Sequence, residues 1–159
     1  YKYLLLLIIN SISLDIIYKK YNKRFEMLIT KASEYAILSL IVLSNKQEPQ
    51  DSETLSRELT IPKSFLAKIL QSLAKEGILV SFRGANGGFA LAKKTDEIDM
   101  LSVMSAVEGK TPAVFDCATS IADCPSNMAT VCSIWPFLNK LQGKIDRFLS
   151  ELTLADILE

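Results

Sequence analysis

Residues 60–91 read TIPKSFLAKILQSLAKEGILVSFRGANGGFAL, and this stretch decides the fold. Its first half has apolar residues at i, i+3, i+4 and i+7, the spacing of one buried helical face: Leu66, Ile69, Leu70 and Leu73. A second stripe, at i, i+4, i+7 and i+11, carries hydrogen-bond donors and positive charge: Ser64, Lys68, Gln71 and Lys75. We therefore predict a helix over Lys63–Glu76, with Gly77 in the left-handed conformation that commonly ends a helix.

The second half of the stretch predicts a β-hairpin. Ile78–Phe82 and Phe89–Leu91 read as two short strands, and residues 83–88 between them form a glycine-rich turn that bears one arginine, Arg83. A phosphate-binding loop is excluded because this turn leads into a strand instead of a helix. It also lacks the Lys-Ser/Thr pair of nucleotide-binding loops.

The residues upstream complete a helix-turn-helix pattern. Asp51 or Ser52 suits the N-cap of a short helix that carries Leu55 and Leu59 inward. After a tight turn, Pro62 suits the first position of the following helix. A short helix, a tight turn and a helix with a donor-rich outer face are typical of proteins whose second helix enters the DNA major groove.

The hairpin that directly follows makes the pattern a winged helix. Arg83, at the tip of the wing, is placed to reach a narrow minor groove, where the negative potential is enhanced. Before this unit, Thr30 or Ser33 can cap a helix that runs to about Ser44. That helix is apolar on nearly every side, so we expect it to be buried.

Two further helices are predicted downstream. Residues 96–99 should begin a helix that ends at Gly109, and Thr153 should cap a last turn. Between them, a long amphipathic helix over 134–152 has apolar residues at intervals of 4, 3, 4, 3 and 4: Ile134, Leu138, Leu141, Ile145, Phe148 and Leu152. Packing of this seam within its own domain is one interpretation. We favour a homodimer, because a protein that reads DNA through one short helix generally gains affinity as a two-fold dimer.

These elements predict a mainly α fold with a small β-wing and a long C-terminal dimerisation helix. We divide the chain into a winged helix-turn-helix domain over 27–94 and a second part, with the cysteine loop and the dimerisation helix, over 95–159. Bases exceed acids by nine to six in the first part, whereas acids exceed bases by ten to four in the second. The basic part fits binding to double-stranded DNA, and the acidic part fits another task.

Residues 1–26 precede Met27, which we take as the natural start. Leu4–Ile9 is an apolar run that Asn10 and Ser11 interrupt, well short of the ~20 residues of a membrane span. No small-residue cleavage site of a secretory signal is visible. We expect residues 1–26 to be a non-native or disordered leader, and we expect no membrane insertion.

The chain has three cysteines, spaced C-x6-C-x7-C: Cys117, Cys124 and Cys132. The residues between them are small and polar, a composition that does not build a packed element by itself. Three soft thiolates suggest a metal or an iron–sulfur cluster, although zinc sites usually show tighter C-x2-C pairs. Three ordinary thiols in a loop are the other interpretation. An odd cysteine count without a signal peptide fits a reducing compartment, so we expect a cytoplasmic protein.

The chain contains no histidine. This excludes catalytic pairs that depend on histidine, and it removes the commonest nitrogen ligand of metals. A cysteine-dependent enzyme would also need an oxyanion site, which the glycine-poor cysteine loop serves badly. We therefore expect no enzyme.

Residues 27–159 resemble the iron–sulfur winged-helix regulators of the IscR and NsrR type. The resemblance rests on motifs spread along the chain: Leu28-Ile29-Thr30-Lys31 with Tyr35-Ala36, Ile61-Pro62-Lys63-Ser64-Phe65-Leu66, Gly77-Ile78-Leu79, the wing from Arg83 to Leu91, the three cysteines, and Leu152-Thr153-Leu154-Ala155-Asp156. It implies a dimeric bacterial transcription regulator that binds a palindromic operator. It also implies that the loop cysteines hold a cluster that senses nitric oxide, redox or iron–sulfur status.

This chain departs from that family in its cluster ligands. In the IscR type, a histidine three residues after the third cysteine completes a two-iron cluster, and the residue here is Trp135. In the NsrR type, a carboxylate near the N-terminus, donated by the partner subunit, completes a four-iron cluster, and the matching residue here is Glu34. The resemblance therefore favours a 4Fe-4S over a 2Fe-2S cluster, with these ligands: Cys117, Cys124, Cys132 and Glu34.

Alternatives to Glu34 stay open at this point. Asp116, Asp123 or a bound thiol are the other candidates for the fourth ligand, and a solvated glutamate in a first helical turn is also favoured by the helix dipole alone. The cysteine spacing of 6 and 7 is wider than the 5 and 5 that are usual in the family.

We expect the DNA contacts to come from the outer face of the second helix and from the wing: Lys63, Ser64, Lys68, Gln71, Arg83 and Gly84. In the leading hypothesis, the cluster orders the acidic cysteine loop and so sets how the long helices of a dimer orient the two recognition helices. The alternative is a clusterless repressor of the same fold, with the cysteines as thiol redox sensors or as a zinc site.

Overall fold

A computed structural model describes residues 29–84, 87–115, 121–122, 124, 128 and 130–159. The predictions made for residues 1–26, for Ala85 and Asn86 of the wing, and for Cys117, Asp116 and Asp123 lie outside the described residues. Within the described ranges, none of the helices combines the length and the apolar character that crossing a membrane requires.

The described residues form six α-helices and one two-stranded antiparallel sheet. Their bounds are α1 (Lys31–Ser44), α2 (Ser52–Leu59), α3 (Lys63–Lys75), β1 (Leu79–Phe82), β2 (Gly88–Leu91), α4 (Met100–Glu108), α5 (Trp135–Glu151) and α6 (Leu154–Leu158), with a short 3₁₀ turn at Thr95–Glu97 before α4. The predicted mainly α fold with a small β-wing is confirmed.

Side-chain caps begin four of the helices. The oxygens of Thr30, Asp51, Asp99 and Thr153 accept hydrogen bonds from backbone N–H groups in the first turns of α1, α2, α4 and α6. Such caps satisfy donors that have no partner within the helix. All four residues were predicted as caps or helix starts. Where two residues were possible, Thr30 caps α1 instead of Ser33, and Asp51 caps α2 instead of Ser52.

Left-handed residues end the helices of the helix-turn-helix. Thr60 has φ 56° between α2 and α3, and Gly77 has φ 69° after α3. The position of Gly77 was predicted, whereas Thr60 is a threonine in a conformation that usually needs glycine. Pro62 lies at the N-cap of α3, one position before the one predicted.

The wing is a hairpin fastened to Gln50, two residues before α2. Leu79 pairs with Leu91 and Phe82 with Gly88, and Gln50 forms a further bridge with Phe89 through two backbone hydrogen bonds of 2.9 Å. A Cβ on Gly88 would lie 2.5 Å from the backbone carbon of Gln50. Glycine is therefore required where the wing crosses this segment, which the sequence pattern had indicated only as a loop.

One hydrophobic core joins the helix-turn-helix to the later helices. Leu40 of α1, Leu55 of α2, Leu70 of α3, Met104 of α4 and Leu154 of α6 are all fully or almost fully buried in it. The core therefore contains residues from both sides of position 95. The division at residue 95 stays a prediction.

Two helices bury less of their surface than the sequence patterns predicted. α1 was expected to be buried on all sides, yet Leu38 is exposed. The seam of α5 is split: Leu138 is buried and Ile145 half-buried, whereas Ile134 and Phe148 face outward. The apolar arc of α5 is wider than one neighbouring helix can cover. Part of the seam is therefore buried and part is exposed.

Candidate functional site

The outer face of α3 is polar and open to solvent. Ser64, Lys68, Gln71 and Lys75 are all exposed, while the opposite face inserts Leu66, Ile69, Leu70 and Leu73 into the core. The core stripe fixes the rotation of the helix about its own axis, because a rotation would expose leucine and bury lysine. α3 thus presents hydrogen-bond donors and positive charge as one continuous surface.

Lys63, at the start of α3, is held by an acidic residue of α2. Its Nζ lies 2.5 Å from Glu53 Oε2, and both side chains are more than half exposed. The hydrogen bond and the negative charge of Glu53 raise the pKa of Lys63, and the same contact lowers the pKa of Glu53. The pair counters a positive charge placed at the positive end of a helix dipole.

The wing tip carries Arg83 in an exposed position. Gly84 follows with φ 107°, a region that L-residues with a side chain rarely adopt. Gly87 lies so close to the backbone of Phe82 that a Cβ would come 2.5 Å from its carbonyl oxygen. Both glycines thus serve the tight turn that projects Arg83 from the body of the protein.

An aromatic contact links the start of α1 to the start of α3. The rings of Tyr35 and Phe65 pack edge to face, with centroids 5.8 Å apart and planes at 78°. Such pairs contribute about 0.5–1.5 kcal/mol beyond the area that they bury. Tyr35 directly follows Glu34, the predicted fourth ligand. Phe65 directly follows Ser64, a predicted DNA contact, so the aromatic pair adjoins both predicted sites in sequence.

Glu34, the predicted fourth ligand, lies in the first turn of α1 and binds Lys31. The Lys31 Nζ to Glu34 Oε2 distance is 2.6 Å, and 45% of the Glu34 side chain is exposed. This hydrogen bond raises the pKa of Lys31. The contact is exposed and exchangeable, so Lys31 does not commit the carboxylate to one geometry.

Glu108 ties the end of α4 to the start of α1. Its Oε1 accepts hydrogen bonds from the hydroxyl groups of Thr30 and Ser33, the latter at 3.1 Å. Ser33 is fully buried, so this contact also satisfies an otherwise costly hydroxyl group. The residues that lead from α4 toward Cys117 therefore begin next to the turn that bears Glu34.

Two of the three predicted cysteine ligands lie in the described residues. Cys124 is buried and Cys132 is half-buried. Among the residues that the structure describes, no group of three or more Cys, Asp or Glu side chains is assembled as a metal site. Cys117 lies outside the described residues, so the complete ligand set stays a prediction.

Gln142 of α5 fastens the segment that enters the cysteine loop. Its side-chain oxygen accepts a hydrogen bond of 3.0 Å from the Val114 amide. Its nitrogen donates to the Pro112 carbonyl at 2.9 Å and to Asp146 Oδ1 at 2.7 Å. Gln142 is only 4% exposed. Because its oxygen and both N–H groups are hydrogen-bonded, this buried amide holds the backbone of residues 112–114 in place.

The other end of the loop leads into α5 at Trp135, three residues after Cys132. Trp135 is the first residue of α5, and its indole Nε1 atom is buried without a hydrogen-bond acceptor in the described part of the chain. No side chain caps α5 at Ile134, and its first turn contains no acidic residue. The electropositive start of α5 therefore lies next to the third cysteine.

The family is decided by a comparison with known proteins. The sequence profile of the Rrf2 family, described as iron-dependent transcriptional regulators, matches residues 29–159. The chain belongs to the Rrf2 family. As a member, it is a DNA-binding transcriptional regulator, and the predicted resemblance to regulators of the IscR and NsrR type is confirmed.

Individual relatives support the same assignment. NsrR of Geobacillus kaustophilus is 30% identical over 135 residues, which cover 84% of this chain and 90% of that protein. IscR of Vibrio atlanticus is 27% identical over 135 residues, which cover 84% of this chain and 76% of that protein. The structure of CymR, the global cysteine regulator of B. subtilis, shares the fold with a TM-score of 0.61 at 17% identity, over 82% of this chain and 95% of CymR.

Several residues of this Rrf2 protein matter to the site and were not found from the sequence. Gln142 gave a signal, since it lies four residues after Leu138 and within the apolar arc of α5, where a polar residue is out of pattern. Tyr35, Phe65 and Glu108 gave none, because their partners are distant in sequence and are set by the packing of α1 on α3 and α4.

Proposed function

We propose that this Rrf2 regulator binds operator DNA with an affinity that depends on an iron–sulfur cluster. The cluster ligands are Cys117, Cys124 and Cys132, with Glu34 of the partner subunit as the fourth. The observation that carries the proposal is the pair of described cysteines, one buried and one half-buried, in a segment whose start is hydrogen-bonded to Gln142 of α5 and whose end leads into the same helix. The iron-dependent description of the family supports it.

The donor set fits such a cluster in its chemistry. Cysteine thiolates are the usual ligands of iron–sulfur clusters, and a carboxylate is a weaker ligand that suits a reactive or easily lost cluster. With no histidine in the chain, a fourth ligand of the IscR type is missing, which favours a four-iron over a two-iron cluster. When bound, the cluster supplies a centre that reacts with nitric oxide or oxygen or is lost under iron starvation.

DNA contact is assigned to the open face of α3 and to the wing: Lys63, Ser64, Lys68, Gln71, Arg83 and Gly84. Lys68 and Arg83 contribute charge toward phosphate or the minor groove, while Ser64 and Gln71 supply hydrogen bonds at the level of base edges. Lys63 forms an ion pair with Glu53, and the negative charge of Glu53 offsets the positive charge of the lysine. Lys63 therefore attracts DNA less strongly than Lys68.

Coupling between the two sites runs through the start of α1. Glu34 adjoins Tyr35, which packs against Phe65 of α3, and Glu108 connects the same turn to the segment that enters the cysteine loop. A change in the liganding of Glu34 therefore acts on the recognition helix through one aromatic contact. A coupling of about 1–3 kcal/mol is enough to switch occupancy of a promoter.

A homodimer on a palindromic operator completes the proposal. Large apolar side chains of the α5 seam and beside it are exposed, 56% for Ile134, 62% for Phe148 and 62% for the adjoining Phe137. A contiguous apolar face of this kind on one helix is typical of an interaction surface. A second copy of α5 is the partner that its heptad-like spacing suits.

The test of the cluster is anaerobic reconstitution with iron and sulfide. We expect a coloured protein with bound iron and sulfide, and Cys124→Ala should lose both. Glu34→Ala should keep the sulfur ligands yet release iron faster, and Lys31→Ala is the matched control because it frees the carboxylate without removing it. A colourless wild-type protein under these conditions would overturn the cluster while leaving DNA binding open.

The test of the DNA surface compares single variants across salt concentrations. Arg83→Ala and Lys68→Ala should weaken binding, and each should lower the slope of log K against log salt by about 1 if its side chain neutralises one phosphate. Lys93→Ala is the control, because it removes the charge of an exposed lysine outside α3 and the wing. Equal effects for all three variants would contradict the assigned surface.

A clusterless regulator is the second candidate. The likeness in fold to CymR and the two described cysteines are compatible with a function in which the cysteines act as redox sensors or bind zinc. Metal analysis of freshly purified protein separates the two candidates. Zinc, or no metal, together with DNA binding that changes on thiol oxidation would favour this second candidate.

A further inference from the structure

The indole N–H of Trp135 is the one buried side-chain donor in the described part of the chain that lacks a hydrogen-bond acceptor. A buried donor without a partner is costly, so native proteins retain one mainly where a ligand or another group supplies the acceptor. Tryptophan can only donate through this nitrogen, so its missing partner must be an acceptor.

The position of Trp135 indicates which acceptor is missing. It lies three residues after Cys132 and is the first residue of α5, so the tryptophan stands where the cysteine segment joins the helix, and its indole nitrogen is buried. The start of α5 has no side-chain cap and no acidic residue in its first turn. Both features favour negative charge at this point, and the cysteine sulfurs of the proposed site bring that charge.

We propose that the indole N–H of Trp135 donates a hydrogen bond to a thiolate or sulfide sulfur of the iron–sulfur cluster. This inference rests on the proposed function and assigns Trp135 as a positioning residue beside the cluster, with no bond to iron. Hydrogen bonds to cluster sulfurs stabilise the more negative, reduced state and so raise the reduction potential. Trp135 thereby makes the cluster easier to reduce.

Trp135 is the sole tryptophan of the chain, which makes its indole directly observable in the full-length protein. Ultraviolet resonance Raman spectroscopy reports whether an indole N–H is hydrogen-bonded. We expect a band of a non-bonded indole in the apo protein and a shift to a hydrogen-bonded indole after anaerobic reconstitution. An unchanged band, or an indole already bonded in the apo protein, overturns the inference.

Trp135→Phe keeps an aromatic ring and removes only the donor. With iron and sulfide contents equal to those of the wild type, it should have a lower midpoint potential and lose its cluster faster in air. Ser133→Ala, an exposed neighbour, is the control and should match the wild type. A midpoint potential unchanged in Trp135→Phe also overturns the inference.

The outcomes separate this inference from the proposed function. Iron and sulfide uptake with an indole band that does not respond overturns the hydrogen bond and leaves the cluster intact. A wild-type protein that takes up no iron and sulfide overturns both. If Trp135→Phe does not fold, the Raman comparison of apo and reconstituted wild-type protein decides alone.

Discussion

Gln142 holds the backbone at the start of the cysteine loop through both the oxygen and the nitrogen of its side-chain amide. The small and polar residues of that loop do not form a packed element by themselves. Gln142 engages Pro112, Val114 and Asp146 while almost fully buried. Replacing it leaves the Val114 amide and the Pro112 carbonyl without these partners, and water reaches them only if the segment opens. Gln142 thus stabilises the fold by supplying hydrogen-bond partners to these two backbone groups.

We predict that Gln142→Ala lowers the free energy of unfolding by about 1–3 kcal/mol, the cost of stranding buried polar groups. Urea denaturation of the apo protein measures this loss. Lys140→Ala, an exposed change on the same helix, should alter the unfolding free energy by less than about 0.5 kcal/mol. Equal midpoints for the two variants would contradict the anchoring role.

Asp51 gives a prediction about pH. Hydrogen bonds from the Thr54 side chain and from backbone N–H groups of α2 hold the pKa of Asp51 below its ordinary value. A carboxyl group with a lowered folded-state pKa contributes stability above its unfolded pKa of about 4 and loses it as the pH falls through the folded pKa. The urea midpoint should therefore fall in acid by more in the wild type than in Asp51→Asn, which keeps an N-cap that does not titrate.

At the scale of elements, the wing depends on one close backbone approach. Gly88 lies where the wing meets the segment before α2, and a Cβ there would fall 2.5 Å from the Gln50 backbone. We predict that Gly88→Ala separates the Gln50–Phe89 bridge and lowers the unfolding free energy by about 1–3 kcal/mol or more. DNA affinity should also fall, since the bridge holds the wing that carries Arg83.

Gly143→Ala is the matched control for this prediction. Gly143 lies inside α5, and a Cβ added there would point into open space, so alanine should raise the unfolding free energy by about 0.5–1 kcal/mol. Opposite signs for the same substitution at these two glycines are the expected result. Loss of stability at both positions would argue against a specific contact at Gly88.

The elements themselves were largely predictable from local chemistry. The spacing of leucines in α3, the cap at Asp99 and the left-handed Gly77 and Gly109 each act within a few residues, so the sequence alone indicates them. The pairing of Gln50 with Phe89 was not predictable in the same way. It joins residues far apart in the chain through backbone atoms, which carry no sequence signal.

At the scale of the whole molecule, α5 has more apolar surface than one chain covers. Leu138 and Leu149 are buried within the protomer, whereas Phe137 and Phe148 stay 62% exposed on the adjoining side. The seven-residue spacing indicated an apolar seam, yet it could not tell which part packs within the chain. That division depends on where α4 lies against α5.

We predict that Phe148→Glu converts a dimer to a monomer, because the charge would be buried without a partner at the α5 interface. Analytical ultracentrifugation measures the change, and operator affinity should fall on the order of a hundredfold as bivalent binding is lost. Ser150→Glu puts the same charge on the opposite, exposed side of α5 and should remain dimeric. A dimeric Phe148→Glu protein would remove α5 from the proposed interface.

Both ends of the cysteine loop are secured on one helix, at Trp135 and Gln142, seven residues or about 10 Å apart along its axis. Closing a longer loop between fixed ends costs little extra entropy, about 0.6 kcal/mol for each doubling of its length. Insertions between the cysteines are therefore tolerated without displacing either attachment. The wide spacing of 6 and 7 residues fits this tolerance.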